Sequence, residues 1–192
     1  MKFCSQCGSE VIFRQPVDDT HRRYVCVSCE QIHYQNPKIV TGCIPEWEGK
    51  VLLCRRAIEP RYGFWTLPAG FMELGETNYE AAIRETREEA NARVKIIELY
   101  TVFNILHVDQ VYMLFRSELM DLDFSPGDES LDVKLCEERE VPWDEIAFTA
   151  IRQTLKFYFQ DKSKGRFKLH TGDIIKKNGM FSFSNDLFDG QG

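Results

Sequence analysis

Apolar runs of strand length alternate along this chain with polar segments punctuated by glycine and proline. The clearest helical stretch starts at Asn78. Thr77 followed by Glu80 reads as a capping box, and Asn78 to about Ala90 carries strong helix formers. At roughly 100° per residue, Tyr79, Ile83, Thr86 and Ala90 gather on one side, which is predicted to face a core. Glu85, Glu88 and Glu89 occupy an arc of about 100° on another side, and the small Ala81 is predicted to project toward them. Upstream, Lys38 to Ile44 reads as a strand. Glu46-Trp47-Glu48-Gly49-Lys50 reads as a hairpin turn with glycine supplying the positive φ. Val51-Leu52-Leu53-Cys54 is nearly all apolar and therefore a central return strand. Further strands are expected at about 94–108 and 110–119. A last helix, about 148–160, should turn Ile151, Leu155 and Tyr158 or Phe159 toward the sheet. Residues 178–192 are rich in Gly, Asn, Ser and Asp and read as a flexible tail. Their Phe181, Phe183 and Phe188 offer a docking strand as the alternative.

The first 33 residues have a different grammar. Cys4-x-x-Cys7 and Cys26-x-x-Cys29 are two knuckles separated by 18 residues, the spacing of a zinc ribbon. Four thiolates give Zn²⁺ a closed tetrahedral shell, which makes such a site structural. Two disulfides or a redox pair are the competing readings. Cys43, Cys54 and Cys136 are scattered elsewhere and no secretory signal precedes Cys4, so zinc is preferred. Val11-Ile12-Phe13 and Tyr24-Val25 are the ribbon's expected strands, and Tyr34-Gln35-Asn36-Pro37 its linker. The expected organisation is a ribbon over 1–33, a main domain over 34–177 and the tail over 178–192.

Composition narrows the partners. Of 192 residues, 43% are hydrophobic and 28% charged, an ordinary globular balance, and the net charge is −6. That sign argues against nucleic acid as a broad partner and suits a protein that meets an anionic substrate through metals. No apolar run approaches the roughly 20 residues of a transmembrane helix. A cytoplasmic protein, or an organelle-matrix protein in mature form, is expected.

Like charges three or four residues apart on a helix cost roughly 0.2–0.5 kcal/mol per pair, so the glutamate face calls for compensation. A hard divalent cation supplies it. Around that face, Gly70, Glu76, Arg84, Glu85, Glu88 and Glu89 stand at the spacing of G-x5-E-x7-R-E-U-x-E-E-x-G-U. The segment thus resembles the Nudix box, with Thr86, Asn91 and Ala92 departing from the pattern at apolar and glycine positions. The resemblance implies a Nudix α/β/α sandwich with a mixed sheet, preceded by a small β zinc ribbon. It also implies a Mg²⁺- or Mn²⁺-dependent hydrolase of nucleoside-linked pyrophosphates. Glu85, Glu88 and Glu89, with the Gly70 carbonyl, are the implied metal ligands. Glu76 is expected to pair with Arg84 behind them, and Glu73 is a further outer candidate. Glu85, Glu88 or the downstream Glu129 is the expected general base.

Beyond the box, Phe64-Trp65-Thr66-Leu67-Pro68-Ala69-Gly70, Phe124-Ser125-Pro126-Gly127-Asp128-Glu129 and Lys168-Leu169-His170-Thr171-Gly172 are similar to one branch. That branch comprises zinc-ribbon Nudix pyrophosphatases acting on ADP-ribose and FAD, and it implies a homodimer. The NADH pyrophosphatase and NAD-cap-removing branch also pairs a ribbon with the box, but carries a Ser-Gln-Pro-Trp-type segment. Here Ile96-Ile97-Glu98-Leu99-Tyr100-Thr101-Val102-Phe103-Asn104 stands in that region. A catalytically idle ligand sensor, or a nucleic-acid-binding ribbon regulator using Arg14, His21, Arg22 and Arg23, is the alternative of another class. Substrate candidates are Arg55, Arg56 and Arg61 as phosphate clamps, and Phe64, Tyr112 and Phe115 as stacking platforms. His107 and His170 are either ligand contacts or satisfied structural histidines.

Overall fold

Alternation with a period of two decides where the core lies. In β4 (Lys38–Trp47), Cys43 and Ile44 are both buried but belong to opposite apolar clusters. In β5 (Lys50–Arg56), Val51 and Leu53 join Ile44, whereas Leu52 and Cys54 join Cys43. A strand buried on both faces needs a cover on each, and two helices supply it. Helix α1 (Asn78–Ala90) covers the Cys43 face through Ala82 and Ala90. Helix α2 (Thr149–Lys164) covers the Ile44 face through Ile151, Leu155, Tyr158 and Phe159. The result is an α/β/α sandwich, seen in a computed structural model that describes residues 1–177 and 179–184. Cys43, Cys54 and Cys136 are buried fillers on strands.

The chain divides into two units, Met1–Pro37 and Lys38 onward, so the division falls after Pro37. In the first, β1 (Val11–Arg14), β2 (Arg23–Cys26) and β3 (Ile32–His33) form an antiparallel sheet. In the second, β8 (Val94–Ile105), β9 (Gln110–Leu119), β10 (Ser130–Cys136), β11 (His170–Lys177) and β12 (Met180–Ser184) complete the order β10-β5-β4-β9-β8-β11-β12. The sheet is mixed because β4 runs parallel to β9 and β11 parallel to β8. The β4–β5 turn places both Glu48 and Gly49 at positive φ, as a tight hairpin requires. Among the described residues no helix is long and apolar enough to cross a membrane.

Two expectations are corrected. The tail expected from residue 178 is a strand over Met180–Ser184, paired antiparallel with β11. Phe183 anchors it by packing 5.1 Å from Phe103. Residues 185–192, with Phe188, lie outside the described residues. Helix α1 is also rotated from its expected setting. Tyr79 is 50% exposed and Ile83 39%, while Ala81, Ala82, Thr86, Glu89 and Ala90 are buried. The small residues let the helix approach β4 so closely that Thr41 Oγ1 donates to Asn78 O at 3.0 Å. Tyr79 still covers one flank, its ring 4.9 Å from that of Phe115. Thr86 is satisfied in its buried position because its hydroxyl donates to Ala82 O at 2.8 Å.

Candidate active site

The site begins where two strands part. β4 and β5 pair only through Glu46–Val51 and Trp47–Lys50. Further along, β5 pairs with β6 (Trp65–Thr66) and β4 with β7 (Ala69–Phe71). β7 brings Gly70 against the helix. A Cβ there would lie 2.2 Å from Glu85 Oε2, so glycine is what lets the strand and the carboxylate share this space. The helix itself is held at both ends. The Thr77–Glu80 capping box closes its start, and Asn91 ends it in the left-handed conformation at φ 49°.

Arg84 organises the polar face. It binds Glu76 in a two-point fork, Nε to Oε2 at 3.0 Å and Nη2 to Oε1 at 2.8 Å. Nη1 donates to Glu85 at 2.8 Å and Glu88 at 2.9 Å, and Nη2 reaches Phe71 O. These bonds tie β7 and the loop that follows it to the helix. Arg84 holds the Glu76 carboxyl down at about 2, helped by the Glu73 amide. Glu89 is different. It is 7% exposed and, among the described residues, accepts only the Ala69 amide, at 3.2 Å. Burial pushes its carboxyl up to about 8, and pushes that of Glu85 up too.

A second loop closes around the end of α1. Ser125 N donates to Ala90 O and Gly127 N to Glu89 O, both at 3.0 Å. The Asn91 side-chain amide donates to Ser125 and Pro126. A Cβ on Gly127 would stand 1.7 Å from Glu88 O. This close seating carries Glu129 to the glutamates, and its charge is felt at both Glu85 and Glu89.

The helix glutamates and the second loop open onto one cavity of about 1300 Å³. Glu73, Glu85, Glu88, Glu89 and Glu129 line it together with Gly70 and Arg84, and Arg56, Arg61, Phe64, Tyr112 and His107 also contribute. Arg61 lies over the Phe64 ring at 5.5 Å. Three expected candidates are elsewhere. Arg55 is exposed, bonded to Gly63 O and absent from the lining. Phe115 is fully buried under α1. His170 binds Asp161 at 2.7 Å and stacks on Phe157 at 4.0 Å. Conversely, Phe148, Arg152 and Ile174, and Phe181 of the docking-strand alternative, line the cavity without the sequence having marked any of them for the site. They come from α2 and the β11–β12 hairpin, far along the chain, and only the sheet order brings them here.

The donor set suits a hard divalent ion, with several carboxylates and a strand carbonyl around one wall. Glu89 adds a buried carboxylate whose ionised form a cation would favour. Glu85 and Glu88 each turn one oxygen onto Arg84 Nη1, at 2.8 and 2.9 Å. In the first unit the sulfurs converge. The Sγ atoms of Cys4, Cys7, Cys26 and Cys29 lie within 4.8 Å of one another. Three contacts are 3.5–3.7 Å, near the about 3.8 Å edge of a tetrahedron with Zn–S bonds of about 2.3 Å. Backbone amides of Gln6, Ser28 and Cys29 face the sulfurs at 3.4 Å.

Both units of the chain resemble known families. The NUDIX domain family model matches residues 36–162, and the zinc-ribbon model described as Nudix N-terminal matches 2–35. A crystal structure of a NUDIX hydrolase from Nitrosomonas europaea is 59% identical, with TM-score 0.85, covering 90% of this chain and 99% of that one. An ADP-ribose pyrophosphatase of Methanocaldococcus jannaschii is 28% identical over 113 residues, 57% of this chain and 67% of the relative. The NAD-capped RNA hydrolase NudC of Photobacterium profundum is 29% identical over 134 residues, 67% of this chain. The aligned region spans 47% of that relative's length.

Proposed function

This chain belongs to the Nudix hydrolase family, and on that premise we propose a divalent-metal-dependent pyrophosphatase that cleaves ADP-ribose, FAD or both and releases AMP. The observation that carries this reading is the gathering of Glu85, Glu88, Glu89 and Glu129 on a cavity large enough for a dinucleotide. The relative named ADP-ribose pyrophosphatase supports the same substrate class.

In this reading Glu85, Glu88, Glu89 and the Gly70 carbonyl would hold Mg²⁺ or Mn²⁺. Such ions neutralise phosphate oxygens and lower the pKa of bound water. Arg84 keeps Glu85 and Glu88 in place and, through Glu76, fixes the preceding loop. Glu129 accepts the proton of the attacking water as the P–O bond to the leaving phosphate breaks. Glu85 and Glu88 are the other candidates for that proton. Arg56 and Arg61 bind phosphate oxygens, and Phe64 and Tyr112 offer flat surfaces to adenine or flavin. Zn²⁺ on the four cysteines holds the ribbon together. A homodimer belongs to the same reading and rests on family resemblance.

The relatives named NudC favour a second reading, hydrolysis of NADH or of an NAD cap. Its weakness is the segment 96–104, which lacks the Ser-Gln-Pro-Trp-type sequence of that branch. AMP release from ADP-ribose, FAD and NADH, measured in parallel with Mg²⁺ and then Mn²⁺, separates the two. Fast release from the first two with slow NADH turnover is expected. Preference for NADH would replace the first reading by the second, and no AMP from any of them would reject both.

A further inference from the structure

The cavity has a basic region at the start of α2 as well as its wall of glutamates. Arg152 lies one turn into the helix and lines the cavity. Its Nε is buried without a hydrogen-bond partner, and its guanidinium makes no ion pair among the described residues. Arg56, 9% exposed, lines the same cavity and lies 5.2 Å over the ring of Phe148, the residue that caps α2. Its Nε donates to Pro60 O at 2.9 Å; its charge is felt at the Glu89 carboxyl, but no carboxylate forms an ion pair with it among the described residues. Asp144 and Glu59 also line the cavity, yet neither forms an ion pair with either arginine.

Arg56 is buried and Arg152 half-buried with its Nε withdrawn from water unpaired, and a guanidinium that loses hydration without gaining an anion is costly. Two on one cavity wall call for a ligand that supplies the anion. The helix start reinforces this demand. Phe148 offers no side-chain acceptor, and the first turn of α2 contains no acidic residue. Its free amides and the helix dipole therefore favour negative charge at the cavity wall formed by Phe148, Thr149 and Ala150. Forked donors together with backbone amides match a tetrahedral oxyanion with several acceptor oxygens.

We infer that Arg56, Arg152 and the first turn of α2 form an anion subsite that grips one phosphate of the substrate's pyrophosphate while the other lies at the glutamates. Naming that anion as substrate phosphate rests on the pyrophosphatase reading above; the subsite itself rests on the unpaired arginines. It makes Arg152 a substrate-binding residue that holds the pyrophosphate across the cavity.

The test uses the full-length zinc-loaded protein, titrated calorimetrically with inorganic pyrophosphate and no added magnesium or manganese. Wild type should bind, and Arg152→Gln should bind about tenfold more weakly, with Arg152→Lys in between. With Mg²⁺ and ADP-ribose, Arg152→Gln should raise KM about tenfold and leave kcat within about twofold. Failure of wild type to bind at concentrations on the order of millimolar overturns the subsite without recourse to any variant. So does a folded Arg152→Gln with wild-type affinity and KM. Pyrophosphate binding through Arg152 without AMP release would keep the subsite and reject the pyrophosphatase reading. AMP release with Arg152→Gln equal to wild type in binding and KM would reject the subsite alone.

Discussion

Gly70 and Gly127 both press on α1, but against different things. A methyl group on Gly70 meets the end of the Glu85 side chain, which can swing away. One on Gly127 meets the backbone carbonyl of Glu88, which cannot. Gly70→Ala should therefore leave the melting temperature nearly unchanged while lowering kcat by about a hundredfold, the cost of a carboxylate displaced by about 1 Å. Wild-type turnover in a folded Gly70→Ala would show that the position of Glu85 is immaterial. The glutamate cluster is legible in the sequence because residue type and spacing alone express it. The setting of the helix is not. Tyr79 and Ile83 mark an apolar stripe by hydrophobicity, whereas Ala81, Ala82 and Thr86 win the interior by size. Burial of Glu89 follows from that same rotation, and periodicity gives no hint of it. Arg55 and Arg56 show a similar limit, since adjacent residues of one type diverge once β6 pairs beside them.

Elements meet in one buried polar knot. Asp161 on α2 accepts from Tyr100 of β8 at 3.1 Å and binds His170 of β11 at 2.7 Å. Burial would raise its carboxyl, but the bonds from His170 and Tyr100 outweigh that and hold it below the ordinary value. A carboxyl depressed in the folded state contributes stability above its unfolded pKa of about 3.9 and loses it as pH falls through the folded one. Asp161→Asn should thus cost about 2 kcal/mol at pH 7. In thermal denaturation the gap between variant and wild type should close as pH falls below the ordinary carboxyl range, where the wild-type carboxyl takes up its proton. A gap that stays constant with pH would mean the charge of Asp161 is not what joins these elements. β11 itself is hard to read in advance. Its sequence, HTGDIIKK, carries Gly, Asp and two lysines, poor strand formers. Its pairing with β8 is what makes it a strand. By contrast β4, β5 and α1 declare themselves locally, through apolar runs, a tight turn and a capping box.

At the scale of the molecule, the two units present two kinds of candidate metal-ligand pattern. The ribbon gathers four sulfurs tightly, as a structural site does. The larger unit spreads its carboxylates along a cavity wall and faces them with arginines and aromatic rings, as a site that admits and releases a substrate must. Both patterns can be read from the sequence, because each is written within a short span of chain. The far wall, built by α2 and the β11–β12 hairpin, is assembled by topology alone. If the helix glutamates hold the metal that drives pyrophosphate cleavage, AMP release from ADP-ribose with Mg²⁺ should separate wild type from Glu89→Gln. Wild type should turn over only with the metal. The variant should lose at least about a thousandfold, and its melting temperature should not fall because it no longer buries an ionisable carboxyl. A folded Glu89→Gln that releases AMP at the wild-type rate would contradict that role for the glutamates.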